Sequence, residues 1–160
     1  GSPFDVTTVN AASSHLWGGE IDLIWRSQFG LALNAGIGYT KTEFDDFQSF
    51  SGNEFADAPR LTANLGAHYR HSNGLFLGGQ VRYVDEAFSG ADNDPALKTD
   101  ARTVVDLKLG VENDVMAWSL FVNNLFDEVY AMERYRGGAA GQTAVVGDPR
   151  VIGFAVETFW

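Results

Sequence analysis

The chain has 160 residues, room for one ordinary domain, and its 45% apolar and 13% aromatic content argues against intrinsic disorder. It has no cysteine, which excludes a disulfide framework, a thiolate metal site and a cysteine nucleophile, and no run of about 18 apolar residues of the kind a transmembrane helix needs. A net charge of −10 makes nucleic acid an improbable partner, because phosphate would be repelled.

Gly1 to Asn10 carry neither the basic start nor the apolar stretch of an export signal, so export would have to be directed by sequence upstream. Residues 4–10 are read as a connection, with a short extra strand as the alternative. From there, period-2 alternation dominates. Ile21, Leu23 and Trp25 alternate with Glu20, Asp22 and Arg26, and a tight Ser27-Gln28-Phe29-Gly30 turn follows. Leu31, Leu33, Ala35, Ile37 and Tyr39 then alternate with Ala32, Asn34, Gly36, Gly38 and Thr40, up to about Lys41. A long connection spans roughly 45–58 before Leu61, Ala63, Leu65, Ala67 and Tyr69 alternate with Thr62, Asn64, Gly66, His68 and Arg70. His71-Ser72-Asn73-Gly74 is a hairpin turn, its Asn-Gly supplying the positive φ angles. Leu75, Leu77, Val81 and Tyr83 form the fourth stripe, and a second long connection covers about 86–101. Val105, Leu107, Leu109 and Val111 turn at Asn113-Asp114-Val115 into Trp118, Leu120 and Val122. The third long connection, about 131–147, leads to Ile152, Phe154, Val156, Thr158 and Trp160.

The pattern predicts an all-β chain: an antiparallel up-and-down meander of about seven long strands, with tight turns at one end and long connections at the other. Nine of the ten net negative charges fall in residues 1–14, 41–58, 85–102 and 127–150, chiefly the long connections, either as solvated loops or as a cation-attracting rim.

Alternation leaves open whether the apolar face meets a core or lipid. Three features favour lipid. Leu31 to Lys41 spans about 33 Å, rising near 25 Å when tilted about 40°, the height of an outer-membrane apolar band. Trp25, Tyr39, Tyr69, Tyr83, Trp118 and Trp160 sit on the apolar face toward strand ends, where an interface girdle belongs. The opposite face carries charged and amide groups in mid-strand, as a wet lumen would. The expected architecture is therefore part of a transmembrane β-barrel; a free-standing small barrel with a structural or adhesive role and a soluble β-sheet binding module are the alternatives.

The run Trp118-Ser119-Leu120-Phe121-Val122-Asn123-Asn124-Leu125-Phe126-Asp127-Glu128-Val129-Tyr130 resembles the penultimate strand of TonB-dependent outer-membrane receptors. Gly147-Asp148-Pro149-Arg150-Val151-Ile152-Gly153-Phe154, running to Phe159-Trp160, resembles the closing strand, and Trp17 to Leu23 and Ala58 to Thr62 match more weakly. The resemblance implies a barrel of about 22 strands around an N-terminal plug, in the outer membrane of a Gram-negative bacterium, importing a scarce nutrient such as a siderophore. It further implies that the chain, residues 1–160, is the C-terminal segment, with the plug absent and about fifteen strands elsewhere. A seven-strand piece beginning at the extracellular side is what division of a larger barrel through a loop would produce. The implied partners are outer-membrane lipid, the remaining strands and plug, the barrel assembly machinery, and the TonB complex through the plug. Phe154, Val156 and Trp160 resemble the C-terminal signal read by that machinery.

Catalytic constellations are scarce, and the expectation is no enzyme, no cofactor and no metal site. His68 and His71, three apart, would point to opposite faces of a strand. Asp92-Asn93-Asp94 lacks the glycine and distal glutamate of a calcium loop. Glu20 and Asp22 share a face and are expected to meet Arg26, Arg82 or Lys108 across the lumen rather than to perform acid–base chemistry. Gly137 to Gly141 is read as a flexible loop without the setting of a phosphate cradle. Arg134, Tyr135 and Arg136 beside it are the candidate ligand-binding residues, the competing reading being that nearby acids satisfy the arginines. Asn123 and Asn124 are assigned to strand hydrogen bonding.

Overall fold

The computed structural model of the chain describes residues 13–138 and 141–159. Trp160, and the short extra strand considered at 4–10, lie outside them. Alternating residues and closely spaced turns leave the backbone one economical way to satisfy its N–H and C=O groups, an antiparallel ladder. That ladder is a seven-stranded sheet of β1 (Ser13–Arg26), β2 (Leu31–Asp46), β3 (Leu61–Arg70), β4 (Leu75–Val84), β7 (Arg102–Glu112), β8 (Met116–Asn123) and β11 (Val151–Thr158), in that spatial order. Every neighbour pair is antiparallel, giving the expected up-and-down meander.

Four short strands lie where only long connections were expected. β5 (Ala87–Phe88) pairs with β6 (Lys98–Thr99), and β9 (Ala131–Arg136) with β10 (Gln142–Val146). Gly137, Gly138 and Gly141 thus belong to the loop at the tip of a hairpin, and the Gly137 N–H donates to the Gly141 carbonyl at 2.9 Å. The first two strands also run further than their apolar stripes. β1 begins at Ser13, and β2 continues to Asp46 because the two keep pairing through polar residues as far as Ser13 opposite Asp46, with a register shift beside it. Backbone pairing needs no apolar side chain, so hydropathy understated both strands.

One face of the sheet has no protein cover. Leu33, Leu65 and Leu107, which a soluble module would bury, are 36%, 56% and 39% exposed, and Leu77, Leu120 and Phe154 are exposed beside them. A bare apolar face of this extent calls for a lipid-like surrounding.

The opposite, inward face follows a different rule: bulky groups stand opposite glycines. Asp22 faces Gly36, Asn34 faces Gly66, His68 faces Gly78, Phe76 faces Gly110 and Phe121 faces Gly153. A Cβ at Gly110 would fall on the Phe76 ring, and one at Gly153 on the Phe121 ring. The missing side chains are what let inward groups lie flat on the curved face. Phe76 and Phe121 add rings to the charged and amide groups expected on this face; Phe76 is buried and stacks on His68 at 5.9 Å.

Candidate functional site

Polar groups converge on the inward face and in the connections above it, and also around the tight turns, where Arg70 pairs with Glu112. A hollow of 490 Å³ on that face is lined by Asn34, His68, Gln80, Asp106, Lys108 and Asn123, with the Phe121 ring at its edge. Its charges are internally compensated: Arg82 pairs with Asp106 at 2.8 Å and Lys108 with Glu157 at 3.4 Å. Glu20 and Asp22 take neither Arg26, Arg82 nor Lys108, correcting the expected pairing; those cations are claimed by acids on nearer strands, or, for Arg26, form no ion pair among the described residues. The reason is reach. β1 is separated from β4 by two intervening strands, about 14 Å of sheet, and Arg26 lies about 13 Å along β1 from Asp22.

Asn124 and Asp127 fold the recognised run into a latch. Both adopt positive φ, 53° and 56°, a conformation Asn and Asp tolerate better than other non-glycine residues. The Asn124 side chain, in a residue only 3% exposed, donates to the Glu128 and Asp148 carbonyls at 2.9 and 3.1 Å and accepts from the Glu128 N–H at 2.8 Å. Its own N–H donates to Asp106 at 2.9 Å, while Asp127 accepts from the Arg150 N–H at 2.9 Å. Asn124 therefore ties two loop legs to β7, and does not serve the strand ladder as expected. Asn123 stays in the ladder, opposite Val151.

Above the sheet the three long connections pack into a cap. The first holds a knot of Phe47, Phe50 and Phe55 with Phe44 from the end of β2, the contacting ring centroids 4.6 to 5.5 Å apart. It is clasped to the second by neutral groups: Asn53 Nδ2 to the Ala91 carbonyl at 2.8 Å, the Asp57 N–H to the Phe88 carbonyl at 2.8 Å, and Asn93 bonding both the N–H and the carbonyl of Glu54 at 2.7 and 2.9 Å. Asn93 is thus a structural clip, and Asp94 caps the 3-10 turn at Pro95–Leu97 through the Ala96 N–H. The second connection meets the β9–β10 hairpin through charge. Arg134 pairs with Asp100 at 2.8 Å, and Arg136 with Asp94 and, at 4.0 Å, Asp92. Partial burial, and secondarily the Glu133 carboxylate, push the Asp57 carboxyl above the usual carboxylate range.

The sequence candidates fall into place as follows. Arg134 and Arg136 lie on the hairpin with their guanidinium groups neutralised by neighbouring aspartates, and Tyr135 is exposed between them. Trp25, Tyr69 and Trp118 stand on the uncovered face near the tight turns, Tyr39 and Tyr83 near the cap. Trp17 was missed: its ring packs tilted against Tyr39 at 5.5 Å, and its position eight residues before Trp25 on the same side of β1 was the signal. The two aromatic levels are separated by about 26 Å along a strand at roughly 3.3 Å per residue. Phe154 packs on Trp118 at 5.5 Å. His71 lies in the turn after β3 rather than on it, and no cluster of three or more metal-ligating side chains occurs among the described residues.

Comparison with known proteins agrees with this geometry. Residues 1–125 match the family described as TonB dependent receptor-like, beta-barrel. Among solved structures, the chain is similar to the ferric yersiniabactin uptake receptor FyuA from Yersinia pestis, at 24% identity and a TM-score of 0.82, over 92% of this chain and 24% of that one. It is also similar to the siderophore receptor PiuA from Acinetobacter baumannii, at 22% identity, TM-score 0.73, 89% of this chain and 21% of that one. The ferric-catecholate import receptor Fiu from E. coli, in its closed form, gives 23% identity, TM-score 0.73, 91% and 21%. The chain thus spans about a quarter or less of the length of these receptors. An all-β sheet uncovered on its apolar face, with residues 1–125 matching the family's barrel, belongs to the TonB-dependent receptor β-barrel family, whose place is the outer membrane of Gram-negative bacteria.

Proposed function

We propose that residues 1–160 are the C-terminal sector of a receptor that binds and imports a scarce nutrient, with a siderophore as the favoured cargo, and that the plug and other strands belong to the rest of the parent protein. The observation that carries this reading is the similarity of the fold, over about nine-tenths of the chain, to siderophore receptors such as FyuA. On this reading the cap forms part of the extracellular mouth, and Arg134, Tyr135 and Arg136 contact the cargo from the hairpin. Trp25, Tyr39, Tyr69, Tyr83, Trp118 and Trp160 mark the lipid interfaces. Phe154, Val156 and Trp160 form the signal for the barrel assembly machinery, and the TonB complex acts through the plug.

The test is uptake of a panel of labelled ferric siderophores by iron-starved cells carrying the complete receptor. One siderophore is expected to enter only when both receptor and TonB are present. Replacing Arg134 and Arg136 by Ala lowers that uptake about tenfold at unchanged surface amount, the scale of a lost charged contact. Deleting Phe159 and Trp160 lowers the surface amount itself. Uptake of every siderophore tested that is indifferent to the receptor overturns the cargo assignment.

A further inference from the structure

The two clasps of the cap differ in kind. Between the first and second connections the groups are uncharged amides and backbone, and Asn93 alone contributes two of the bonds. Between the second connection and the β9–β10 hairpin, apart from the Arg134 N–H donating to Ser89 Oγ at 2.9 Å, the polar links are ion pairs. Each pair has one partner open to water: Arg136 is 69% exposed against 20% for Asp94, and Asp100 84% against 32% for Arg134. Neutral, part-buried bonds are indifferent to salt, whereas ion pairs that water reaches are weak and screened by it. The Arg134 Nε is moreover buried without a hydrogen-bond partner, a desolvation penalty that the closed hairpin carries and an open one sheds.

The hairpin's base, by contrast, is fixed. Asn124 bridges Glu128 and Asp148, the Gly147 N–H donates to the Tyr130 carbonyl at 2.9 Å, and Arg102 lies over the Tyr130 ring at 5.0 Å. Between base and tip the ladder is broken once, by a register shift between Val145 and Val146. A stiff arm, a tethered base, a break in the ladder and a charged lateral contact make a strap.

We propose that the β9–β10 hairpin is a detachable strap of the cap, closed by the Arg134–Asp100 and Arg136–Asp94 pairs, pivoting at the Val145/Val146 break, and released by competing anions while the first two connections stay joined. Release follows from ion pairing and does not depend on what the receptor imports.

Nitroxide labels on cysteines introduced at Ser49 and Thr143 of the complete, detergent-solubilised receptor report the strap distance. Labels at Ser49 and Ala96 report the neutral clasp. Raising sodium chloride from about 0.1 M to about 1 M shortens the screening length from about 10 Å to about 3 Å. The population at long Ser49–Thr143 distance is expected to rise about fivefold, the scale of two exposed pairs, while the Ser49–Ala96 distance stays put. Asp94→Asn with Asp100→Asn should give the long distance at low salt. A strap distance insensitive to both salt and the double variant overturns the proposal, as does a shift of both distances together, which would make the cap a single unit.

Discussion

In the membrane sheet each side chain is assigned by parity: odd or even position decides lipid or lumen, and the backbone ladder holds the strands whatever the side chains do. In the cap the ladder is short and side chains carry the connections, with Asn93 and Asn124 each bonding backbone on segments far apart in sequence. The sheet therefore tolerates change in identity but not in polarity on its outer face, whereas the cap tolerates change in polarity at many exposed sites but not at a few amides. The difference reflects solvent. Lipid offers the backbone no hydrogen bonds, so the strands must be complete in themselves, while water lets the cap leave much of its backbone unladdered.

Four substitutions would break or sharpen this contrast. The largest effect is expected on the outer face: Leu120→Arg, placing a charge against the hydrocarbon, should destabilise the complete receptor by about 2–4 kcal/mol in denaturant unfolding from vesicles, and Gln80→Arg on the inward face by less than about 1 kcal/mol. Equal effects would dissolve the distinction between faces. Next comes Asn124→Ala, which strands the Glu128 N–H and the Glu128 and Asp148 carbonyls; a loss of about 2 kcal/mol is expected, with hydrogen exchange rising in residues 124–150 and not in β2 or β3. Exchange spreading through the sheet would mean that cap and sheet unfold together.

The smallest is Asp57→Asn. Asp57 has a carboxyl raised in the folded state, so its favourable contribution is complete below the unfolded value and fades as pH climbs through the folded one. The Asp57 N–H bonded to Phe88 should open more often across that rise, after correction for intrinsic exchange. The Asn variant, which suits the positive φ of 53°, should remove the dependence. A dependence that survives in the variant would point to another group.

Much of the sheet was legible because its signal is local. Leu31 to Tyr39 and Leu61 to Tyr69 announce their faces at a spacing of two, and Asn73-Gly74 announces its turn. The ends of β1 and β2 were not, since polar residues pair as well as apolar ones. Phe76 and Phe121 were hidden for a different reason: only the facing glycines of the next strand make room for them inside, and the register is not written in either strand alone. The candidate arginines were visible as a pair, but which aspartates answer them depends on how three connections settle against one another. Likewise the lumenal acids of β1 looked available to Arg82 and Lys108 until the strand order put nearer acids in the way.

The order of apolar and polar residues by itself determined the meander, its tight turns and its two-faced sheet, while the family entered as a resemblance carried by particular motifs such as the Asn-Leu-Phe-Asp run. The tertiary structure decided which glycine stands beneath which ring, which acid meets which arginine, and that the long connections form an ordered cap of one neutral and one ionic clasp. Periodicity is set by the geometry of a single strand and survives in one dimension. Pairings between segments 30 to 45 residues apart, such as Asn53 with Ala91 or Arg134 with Ser89, exist only once the chain has closed on itself.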